Sequence, residues 1–199
     1  MGLTKIAVLC SGGGTNFQAL LDAAEKFENG TIDLLIASRP GIMALERAKA
    51  RGIPSVVVSR KDYATAEEYD EAICAQLDSY NISLVVMAGF LQIIGAKTLK
   101  AYEDRIINIH PSLIPSFCGS GFYGLHVHKA ALEYGVKVSG ATVHIVNNIV
   151  DGGRILLQKA VEVLPNDTPE SLQLRVMEEA EWDILPKAVA MFCKEGSFK

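Results

Sequence analysis

Short apolar runs alternate with amphipathic segments along the first half of the chain. The runs are rich in branched residues and apolar throughout, which is typical of strands that a parallel sheet buries on both faces. Between them, apolar residues recur every three or four positions and predict helices with one buried face. The predicted strands are 5–10, 32–38, 53–59, 82–89 and 105–110, and the predicted helices are 17–27, 42–52, 65–80 and 96–102. This alternation predicts an α/β fold: a Rossmann-like, mostly parallel sheet with helices on both faces.

The second half of the chain follows a different pattern. A helix is predicted at 125–135, and 136–164 reads as two extended strands joined at "NNIVDGG", an antiparallel pair. One terminal helix is predicted over 168–194, with a kink at Pro186. The predicted sheet is therefore extended by an antiparallel C-terminal part, and we expect a single domain over residues 1–199.

The composition is typical of a globular protein: 199 residues, 49% apolar and 21% charged. A net charge of −4 argues against a nucleic-acid partner, because nucleic-acid-binding domains are usually basic. The apolar runs are too short to span a bilayer, and the first residues lack the pattern of a signal peptide. The four cysteines are scattered without CxxC spacing. We expect a reduced, cytoplasmic protein with no membrane or nucleic-acid partner.

Three consecutive glycines, Gly12, Gly13 and Gly14, separate the first predicted strand from the first predicted helix. Glycines let backbone N–H groups approach an anion closely, and a helix N-terminus adds positive potential. Thr15 and Asn16 follow and can donate further hydrogen bonds. The spacing does not fit G-x-G-x-x-G, so the loop favours a phosphate monoester over a dinucleotide. The alternative is a plain tight turn between strand and helix.

Polar residues end the fifth predicted strand. Asn108 and His110 are two positions apart, so both face one side of the strand while Ile109 faces the other. Asp151 precedes two glycines that allow a sharp bend. If the three polar side chains meet, the carboxylate favours the imidazolium and raises the pKa of His110. Asn108 and protonated His110 would then donate to the oxyanion of an acyl-transfer intermediate, and His110 could protonate the leaving nitrogen.

Two other interpretations of these residues stay open from the spacing alone. Asn108, His110 and Asp151 are also compatible with three unrelated polar strand ends. A metal site built from histidines is a weaker possibility, because His126 and His128 lie on a predicted helix, where residues two apart diverge. We therefore predict no metal site.

The segments "NIHPSLIP" and "GATVHIVNNIVDGG" resemble the folate-dependent formyltransferase family. The loop "SGGGTNFQALLDA" is similar to the loop that binds the substrate phosphate in that family. The resemblance runs from Ile6 to about Phe192. It implies one formyltransferase domain, with a phosphate-binding half over about 1–105 and a catalytic and folate-binding half over about 106–199.

The resemblance implies transfer of the formyl group of 10-formyltetrahydrofolate to the amino group of glycinamide ribonucleotide, a step of purine synthesis. By matched position, we expect His110 to be the proton donor, Asn108 the ligand of the formyl oxygen, and Asp151 the carboxylate that sustains the His110 cation. The residues expected to contact the substrate phosphate and ribose are Gly12, Gly13, Gly14, Thr15, Asn16 and Glu181. The residues expected to contact the folate are Leu91, Gln92, Ile93, Ile94, Asn108 and Asp151. No metal is implied, and the chain is expected to be a monomer or a homodimer.

The chain departs from the family pattern in two ways. Ala66, Gln92 and Glu178 stand where relatives often carry a basic residue, which weakens the positive charge expected near the folate tail and the phosphate. The loop 116–124 is longer than the compact version in many relatives. We expect this loop near the cleft, as a lid, rather than as surface padding.

Three other functions compete with formyl transfer to glycinamide ribonucleotide. Formyltetrahydrofolate hydrolases usually carry an extra regulatory domain, for which the residues before the first strand leave no room. Enzymes that formylate methionyl-tRNA usually add a basic C-terminal domain, whereas this chain is acidic and ends soon after its last helix. A non-catalytic folate-binding or phosphosugar-binding module would not need Asn108, His110 and Asp151 together.

Overall fold

A computed structural model describes residues 2–198, which form seven strands and seven α-helices. The strands are β1 (Thr4–Cys10), β2 (Gly30–Ala37), β3 (Ser55–Val57), β4 (Leu84–Met87), β5 (Ile106–His110), β6 (Val138–Ile145) and β7 (Ile155–Glu162). The helices are α1 (Thr15–Ala23), α2 (Met43–Ala50), α3 (Ala66–Ser79), α4 (Ala96–Ala101), α5 (Leu125–Tyr134), α6 (Pro169–Val176) and α7 (Trp182–Glu195). Every predicted strand is present, and most differ from the prediction only at their ends.

The strands form one sheet in the order β3-β2-β1-β4-β5-β6-β7. β1 pairs in parallel with β2 and with β4, and β2 pairs in parallel with β3. β6 and β7 pair antiparallel. These pairings confirm the predicted α/β class, a Rossmann-like and mostly parallel sheet extended by an antiparallel C-terminal part.

The fold divides into two compact units. The first unit contains the residues up to Ile107 together with the segment from Val189 onward, and the second unit is Asn108–Ala188. The predicted halves divide close to the same place, near residue 105. However, the C-terminal segment belongs to the first unit rather than to the second. That the chain forms a single domain stays a prediction.

In the first unit, β4 is buried along its whole length, and β1 and β2 are buried along most of theirs, because these strands are mainly apolar. The side chains of Ile6, Val8 and Leu9 in β1 have no exposed surface. A buried carboxylate, Asp70 of α3, reaches across to the start of α4 and accepts hydrogen bonds from three of its backbone N–H groups. Helix N-termini leave such donors unpaired, so Asp70 caps α4 from a distance.

In the second unit, β6 is buried along most of its length, and the buried hydroxyl of Thr142 within it is hydrogen-bonded on both its donor and its acceptor side. Thr142 Oγ1 donates to the Ser112 carbonyl oxygen at 2.7 Å and accepts from the Ile114 N–H at 3.1 Å and from Gln158 Nε2 at 2.9 Å. These bonds fix the segment that follows β5 onto the β6–β7 pair. The loop before α6 is closed by a bidentate ion pair in which Arg175 donates to both oxygens of Asp167.

The predicted single terminal helix is wrong in one respect. A π-helical turn, Met177–Glu181, interrupts it between α6 and α7. Pro186, where a kink was predicted, lies inside α7. Pro186 lacks the N–H that would bond to the carbonyl of Trp182, four residues earlier, and Trp182 is the first residue of α7. The irregularity therefore lies before the proline, where no residue type marks it.

Among residues 2–198, no helix is both long enough and apolar enough to cross a membrane.

Candidate active site

The end of β5 presents two polar side chains on one side of the strand, as the period of two predicts. Asn108 is half-buried and His110 is only 4% exposed. Ile109 faces the other way into the core, which holds β5 in register. The strand therefore delivers an amide and an imidazole to the same place within the second unit.

Asp151 lies in the turn that connects β6 to β7. Its backbone has φ +55°, a left-handed conformation that Asp tolerates better than most residues. Gly153 follows where any side chain would collide with the backbone, since an added Cβ would lie 1.7 Å from the Ile145 carbonyl oxygen. The turn therefore requires glycine, and it directs the Asp151 carboxylate toward β5 and β6.

The three predicted catalytic residues come together, and His144 of β6 joins them. Asp151 Oδ2 lies 3.5 Å from His110 Nδ1, and Asp151 Oδ1 lies 3.6 Å from His144 Nε2. Asn108 Nδ2 lies 3.1 Å from His144 Nε2. The interpretation as unrelated strand ends is therefore wrong. The side chains of Asn108, His110, His144 and Asp151 are called the polar cluster below.

His144 is the member that the sequence prediction did not assign to the site. Its Nδ1 lies 2.9 Å from the Ile145 carbonyl oxygen, and a carbonyl only accepts, so Nδ1 carries a proton. Its Nε2 then accepts from the Asn108 amide, which orients that amide. The available sequence signal was the alternation of polar Thr142 and His144 with the apolar residues Ala141, Val143 and Ile145.

His110 donates from Nε2 to the Phe117 carbonyl oxygen at 2.9 Å. The nitrogen that remains to gain or lose a proton is therefore Nδ1, which faces Asp151. Burial lowers the pKa of His110 below its ordinary value, although the hydrogen bond to Phe117 and the charge of Asp151 both raise it. The sequence prediction was correct that Asp151 raises this pKa but wrong about the net direction. The local sequence does not show how deeply the ring is buried.

Asp151 stays ionised despite its burial. Burial by itself raises the pKa of this carboxyl group, but the nearby His144 ring, the Gly119 N–H and His110 together bring it below the ordinary value. The Gly119 N–H donates to Asp151 Oδ2 at 2.8 Å. At neutral pH the polar cluster thus contains a carboxylate beside a neutral His110, an arrangement that can take up a proton at Nδ1 and stabilise the resulting cation.

The glycine loop lies in the first unit, between β1 and α1. Gly14 is the N-cap residue of α1 with φ +69°, and an added Cβ would lie 2.8 Å from the Ala44 side chain. Gly12 and Gly13 differ, because an added Cβ would have no described atom within 4 Å. Gly14 therefore serves the close packing of α2 against the loop, whereas Gly12 and Gly13 leave open space at a helix N-terminus.

Two arginines that the sequence prediction did not identify border the glycine loop. Arg47 of α2 donates from Nε to the Gly13 carbonyl oxygen at 2.9 Å and from Nη1 to Gln18 at 2.9 Å. Arg39 donates from Nε to the Ser11 carbonyl oxygen at 3.2 Å. They bring positive charge to the glycine loop, whereas Ala66, Gln92 and Glu178, which stand where relatives often carry a basic residue, carry no positive charge. Their distance in sequence from the glycines hid this proximity.

The segment Leu91–Ile94, predicted to contact folate, begins after β4 in the first unit. Leu91 is 59% exposed and Ile93 is 77% exposed, whereas Ile94 is buried. The Leu91 N–H donates to Ser11 Oγ at 2.9 Å, so this segment is tied to the residue that precedes the glycines. The large apolar side chains of Leu91 and Ile93 are thus exposed on a backbone that is held in place. Together they form an apolar patch that a flat aromatic ring can cover.

Glu181, predicted to contact ribose, lies in the π-helical turn of the second unit and is buried. Single π-helical turns are frequent at functional sites because the extra residue re-aims the side chains around it.

Of the positions without the expected basic residue, Ala66 is the first residue of α3 and Glu178 belongs to the same π-helical turn. Within residues 2–198, no group of three or more His, Cys, Asp or Glu side chains is arranged to hold a metal ion.

Comparison with known proteins identifies the class to which this arrangement belongs. Residues 4–189 match the formyl transferase family, and the chain belongs to that family. Its similar proteins carry a more particular name. Phosphoribosylglycinamide formyltransferase, chloroplastic, of Arabidopsis thaliana is 39% identical over 193 residues, which are 96% of this chain and 66% of that protein. The trifunctional purine biosynthetic protein adenosine-3 of Drosophila melanogaster is 42% identical over 190 residues, 94% of this chain.

Solved structures support the same relationship. Glycinamide ribonucleotide transformylase 1 from Symbiobacterium toebii is 39% identical, with a TM-score of 0.91 over 96% of this chain and 88% of that chain. Phosphoribosylglycinamide formyltransferase from Bacillus halodurans is 33% identical, with a TM-score of 0.90 over 98% and 97%. The chain spans 14% of the length of the Drosophila protein and 66% of the length of the Arabidopsis protein.

Proposed function

We propose that this chain transfers the formyl group of 10-formyltetrahydrofolate to the amino group of glycinamide ribonucleotide, a step of de novo purine synthesis. The observation that carries the proposal is the polar cluster: an amide, two imidazoles and a carboxylate within hydrogen-bonding or ion-pairing distance of one another. Membership of the formyl transferase family and the names of the similar proteins support it.

The proposed reaction begins with attack of the substrate amine on the formyl carbon. Asn108 has two amide hydrogens, of which one is directed to His144, and the other donates to the formyl oxygen as negative charge develops there. His110 enters neutral, because burial lowers its pKa, and accepts the amine proton at Nδ1. Asp151 stabilises the resulting imidazolium, which then protonates the leaving nitrogen of the folate as the carbon–nitrogen bond breaks.

Substrate binding is proposed for the residues expected from the sequence. The open Gly12 and Gly13, with the N-terminus of α1, Thr15 and Asn16, fit a phosphate monoester, and Arg47 and Arg39 add positive charge. Gly14 and Glu181 complete the proposed phosphate and ribose set. The exposed side chains of Leu91 and Ile93 fit an aromatic ring such as the pterin of the folate, with Gln92 and Ile94 beside them. No metal is part of this proposal.

An assay with three acceptors tests the proposal. The purified chain is given 10-formyltetrahydrofolate with glycinamide ribonucleotide, with water alone, or with methionyl-tRNA, and the formylated product or released formate is measured. We expect turnover with glycinamide ribonucleotide and at least about 100-fold less in His110→Ala. The control is His126→Ala, an exposed histidine of α5.

Other results of that assay favour the alternatives. Formate release that does not depend on an amine indicates a formyltetrahydrofolate hydrolase, and turnover only with another amine indicates a different formyltransferase. Folate binding without turnover on any acceptor indicates a binding module. Cytoplasmic localisation and the monomeric or dimeric state stay predictions, and one similar protein is named as chloroplastic.

A further inference from the structure

The loop that follows β5 contains a backbone conformation that is unusual for a large side chain. Among residues 2–198, five non-glycine residues have positive φ, and four of them are Asn or Asp, which tolerate it. The fifth is Phe117, with φ +50°. For a bulky residue this conformation is a strained outlier, and such strain persists where the surroundings impose it, often at functional sites.

The surroundings of Phe117 impose its conformation from several sides. Ser112 Oγ donates to the Ser116 carbonyl oxygen at 2.6 Å, and the Ser116 N–H donates to the Leu113 carbonyl oxygen at 3.0 Å. The Phe117 ring contacts Phe122 and Tyr134 edge-on, with centroids 6.3 and 6.0 Å away. Because the ring and the preceding peptide are both held, the direction of the Phe117 carbonyl is held as well.

The same short turn contacts both members of the His110–Asp151 pair through backbone atoms. The Phe117 carbonyl accepts from His110 Nε2 at 2.9 Å, and the Gly119 N–H donates to Asp151 Oδ2 at 2.8 Å. That carboxylate oxygen is the one that lies 3.5 Å from His110 Nδ1. Both side chains of the pair are thus held by residues 117–119, a segment inside the loop expected from the sequence to act as a lid.

We propose that residues 117–119 are positioning residues for formyl transfer: the Phe117 carbonyl keeps the His110 proton on Nε2, and the Gly119 N–H holds the Asp151 carboxylate against Nδ1. This inference deepens the proposed function and rests on it. Without the carbonyl, His110 could carry its proton on Nδ1, which Asp151 would favour, and the ring could not then accept the amine proton there. The turn therefore selects the tautomer that the reaction needs.

The first experiment compares two glycines of this loop. Gly119 and Gly121 have nearly equal φ, +88° and +90°, and an added Cβ at either has no described atom within 4 Å. Gly119→Ala and Gly121→Ala therefore carry a similar backbone strain. The difference is that Gly119 donates to Asp151, so Gly121→Ala is the matched control.

We expect Gly119→Ala to lower kcat roughly 10- to 100-fold, because a displacement of about 1 Å at a catalytic group has that effect. His110, His144 and Cys118 are the titratable groups that face Asp151. With the carboxylate displaced, the pKa of His110 falls, and the acid limb of the kcat profile moves to lower pH. Gly121→Ala should keep the wild-type pKa and profile. Equal changes in the two variants, or a lower kcat with an unmoved His110 pKa, would overturn the inference.

The second experiment reads the tautomer directly and does not require turnover. Phe117→Asn and Phe117→Val both remove the ring, but Asn tolerates positive φ and a β-branched residue does not. We expect ¹⁵N imidazole NMR above the His110 pKa to show the Nε2–H tautomer in the wild type and in Phe117→Asn. In Phe117→Val a large Nδ1–H fraction should appear. An unchanged tautomer in Phe117→Val refutes the role of the carbonyl, whether or not the chain transfers formyl groups.

Discussion

At the scale of single residues, Asp151 is the group whose charge the proposed reaction uses most directly. It raises the pKa of His110 against the effect of burial, and it lies 3.5 Å from the nitrogen that takes up the proton. We expect Asp151→Asn to lower kcat by roughly 30-fold or more, about 2 kcal/mol, with a much smaller change in the folate Kd. Steady-state rates across pH and a folate titration measure both quantities.

The matched control for this change is Asp104→Asn. Asp104 has the same φ of +55° as Asp151, so the two substitutions alter similar backbones, but Asp104 is an exposed residue ahead of β5. We expect kcat of Asp104→Asn to equal that of the wild type. Because the neutral carboxamide no longer raises the pKa of His110, the acid limb of Asp151→Asn moves to lower pH. A profile that stays in place would contradict the electrostatic role.

The sequence predicted part of this cluster because part of it follows a period. Asn108 and His110 are two positions apart on one strand, so their common direction could be inferred from alternation alone. Asp151 was a candidate because two glycines follow it, but its place beside His110 required the family resemblance, since nothing local connects it to β5. The net pKa of His110 was predicted wrongly, because burial depends on every element packed around the ring. Backbone partners such as the Phe117 carbonyl leave no residue type by which a sequence could reveal them.

At the scale of elements, the loop between β1 and α1 is predicted to bind the phosphate of the substrate. Gly12 has open space where a side chain would be, and it has no positive φ that would strain an alanine. We expect Gly12→Ala to raise the KM for the phosphosugar roughly 10-fold and to leave the folate KM unchanged, because the added methyl group meets only the bound anion. Initial rates with each substrate varied in turn test this prediction.

Substitutions at two other glycines, Gly2 and Gly14, were considered as controls for Gly12→Ala. Gly2→Ala is the control, since an added Cβ there also has no described atom within 4 Å, and Gly2 precedes β1 whereas the loop follows it. Gly14→Val is unsuitable, because its side chain would collide with Ala44 and disturb α2. Equal increases of both KM values in Gly12→Ala would mean that the loop does not bind the phosphate selectively.

The start of α4 depends on a carboxylate from another helix. Asp70 accepts from the N–H groups of Gly95, Lys97 and Thr98, at 3.0, 2.9 and 3.2 Å, and is only 4% exposed. In Asp70→Asn an amide NH₂ replaces one accepting oxygen and faces these donors. We expect a loss of about 2 kcal/mol in the free energy of unfolding. Denaturant titration measures this loss.

A neighbouring residue provides the contrast for Asp70. Glu71 pairs with Lys97 of α4 at 3.2 Å, but both side chains are more than half exposed. We expect Glu71→Gln to change the free energy of unfolding by less than about 1 kcal/mol. Because Leu91–Ile94 lead directly into α4, Asp70→Asn should also raise the folate KM, whereas Glu71→Gln should not. Similar losses of stability in the two variants would refute the capping role of Asp70.

The elements themselves were largely predictable, and the exceptions have physical causes. Strands and helices followed the apolar period, because each must bury one face or both. The π-helical turn at 177–181 was not predicted. A single turn changes the spacing of apolar residues too little to be distinguished from an α-helix in the sequence. The loop 116–124 was expected near the cleft, and residues 117–119 do contact His110 and Asp151. These backbone contacts support the proposed role of the loop in positioning His110 and Asp151. The glycine-rich sequence alone did not predict this role.

At the scale of the whole molecule, the class of fold was predictable, but the inclusion of the C-terminal segment in the first unit was not. Alternating strands and helices specify a parallel sheet, whereas the assignment of the segment from Val189 to the first unit depends on contacts between residues far apart in sequence. Contacts between distant residues also bury titratable groups, and they therefore determine how the stability of the whole chain depends on pH. Buried titratable groups set that dependence through the difference between their folded and unfolded pKa values.

His128 of α5 is a buried group that is predicted to influence stability in mild acid. Its side chain is fully buried, and neither ring nitrogen has a hydrogen-bond partner among residues 2–198. Burial, with a smaller effect of His110, lowers its pKa from 6.5 to about 4. A lowered folded pKa means that the unfolded chain binds the proton first. The stabilisation is therefore complete above pH 6.5 and is lost as the pH falls toward 4.

We expect the free energy of unfolding to fall by roughly 2 to 3 kcal/mol between pH 7.5 and pH 4.5 through His128 alone. Asp167 contributes only at lower pH, because the hydrogen bond from Arg175 holds its pKa below the ordinary 3.8. His128→Phe removes the titrating group. Between pH 7.5 and pH 4.5 this variant should therefore lose less unfolding free energy than the wild type, by the amount expected for His128. His126→Phe, at an exposed position of the same helix, should keep the wild-type slope. Denaturant unfolding at a series of pH values measures the slopes, which are independent of any constant offset that the substitution adds. If His128→Phe and the wild type lose stability in parallel, His128 is not the group that titrates on unfolding.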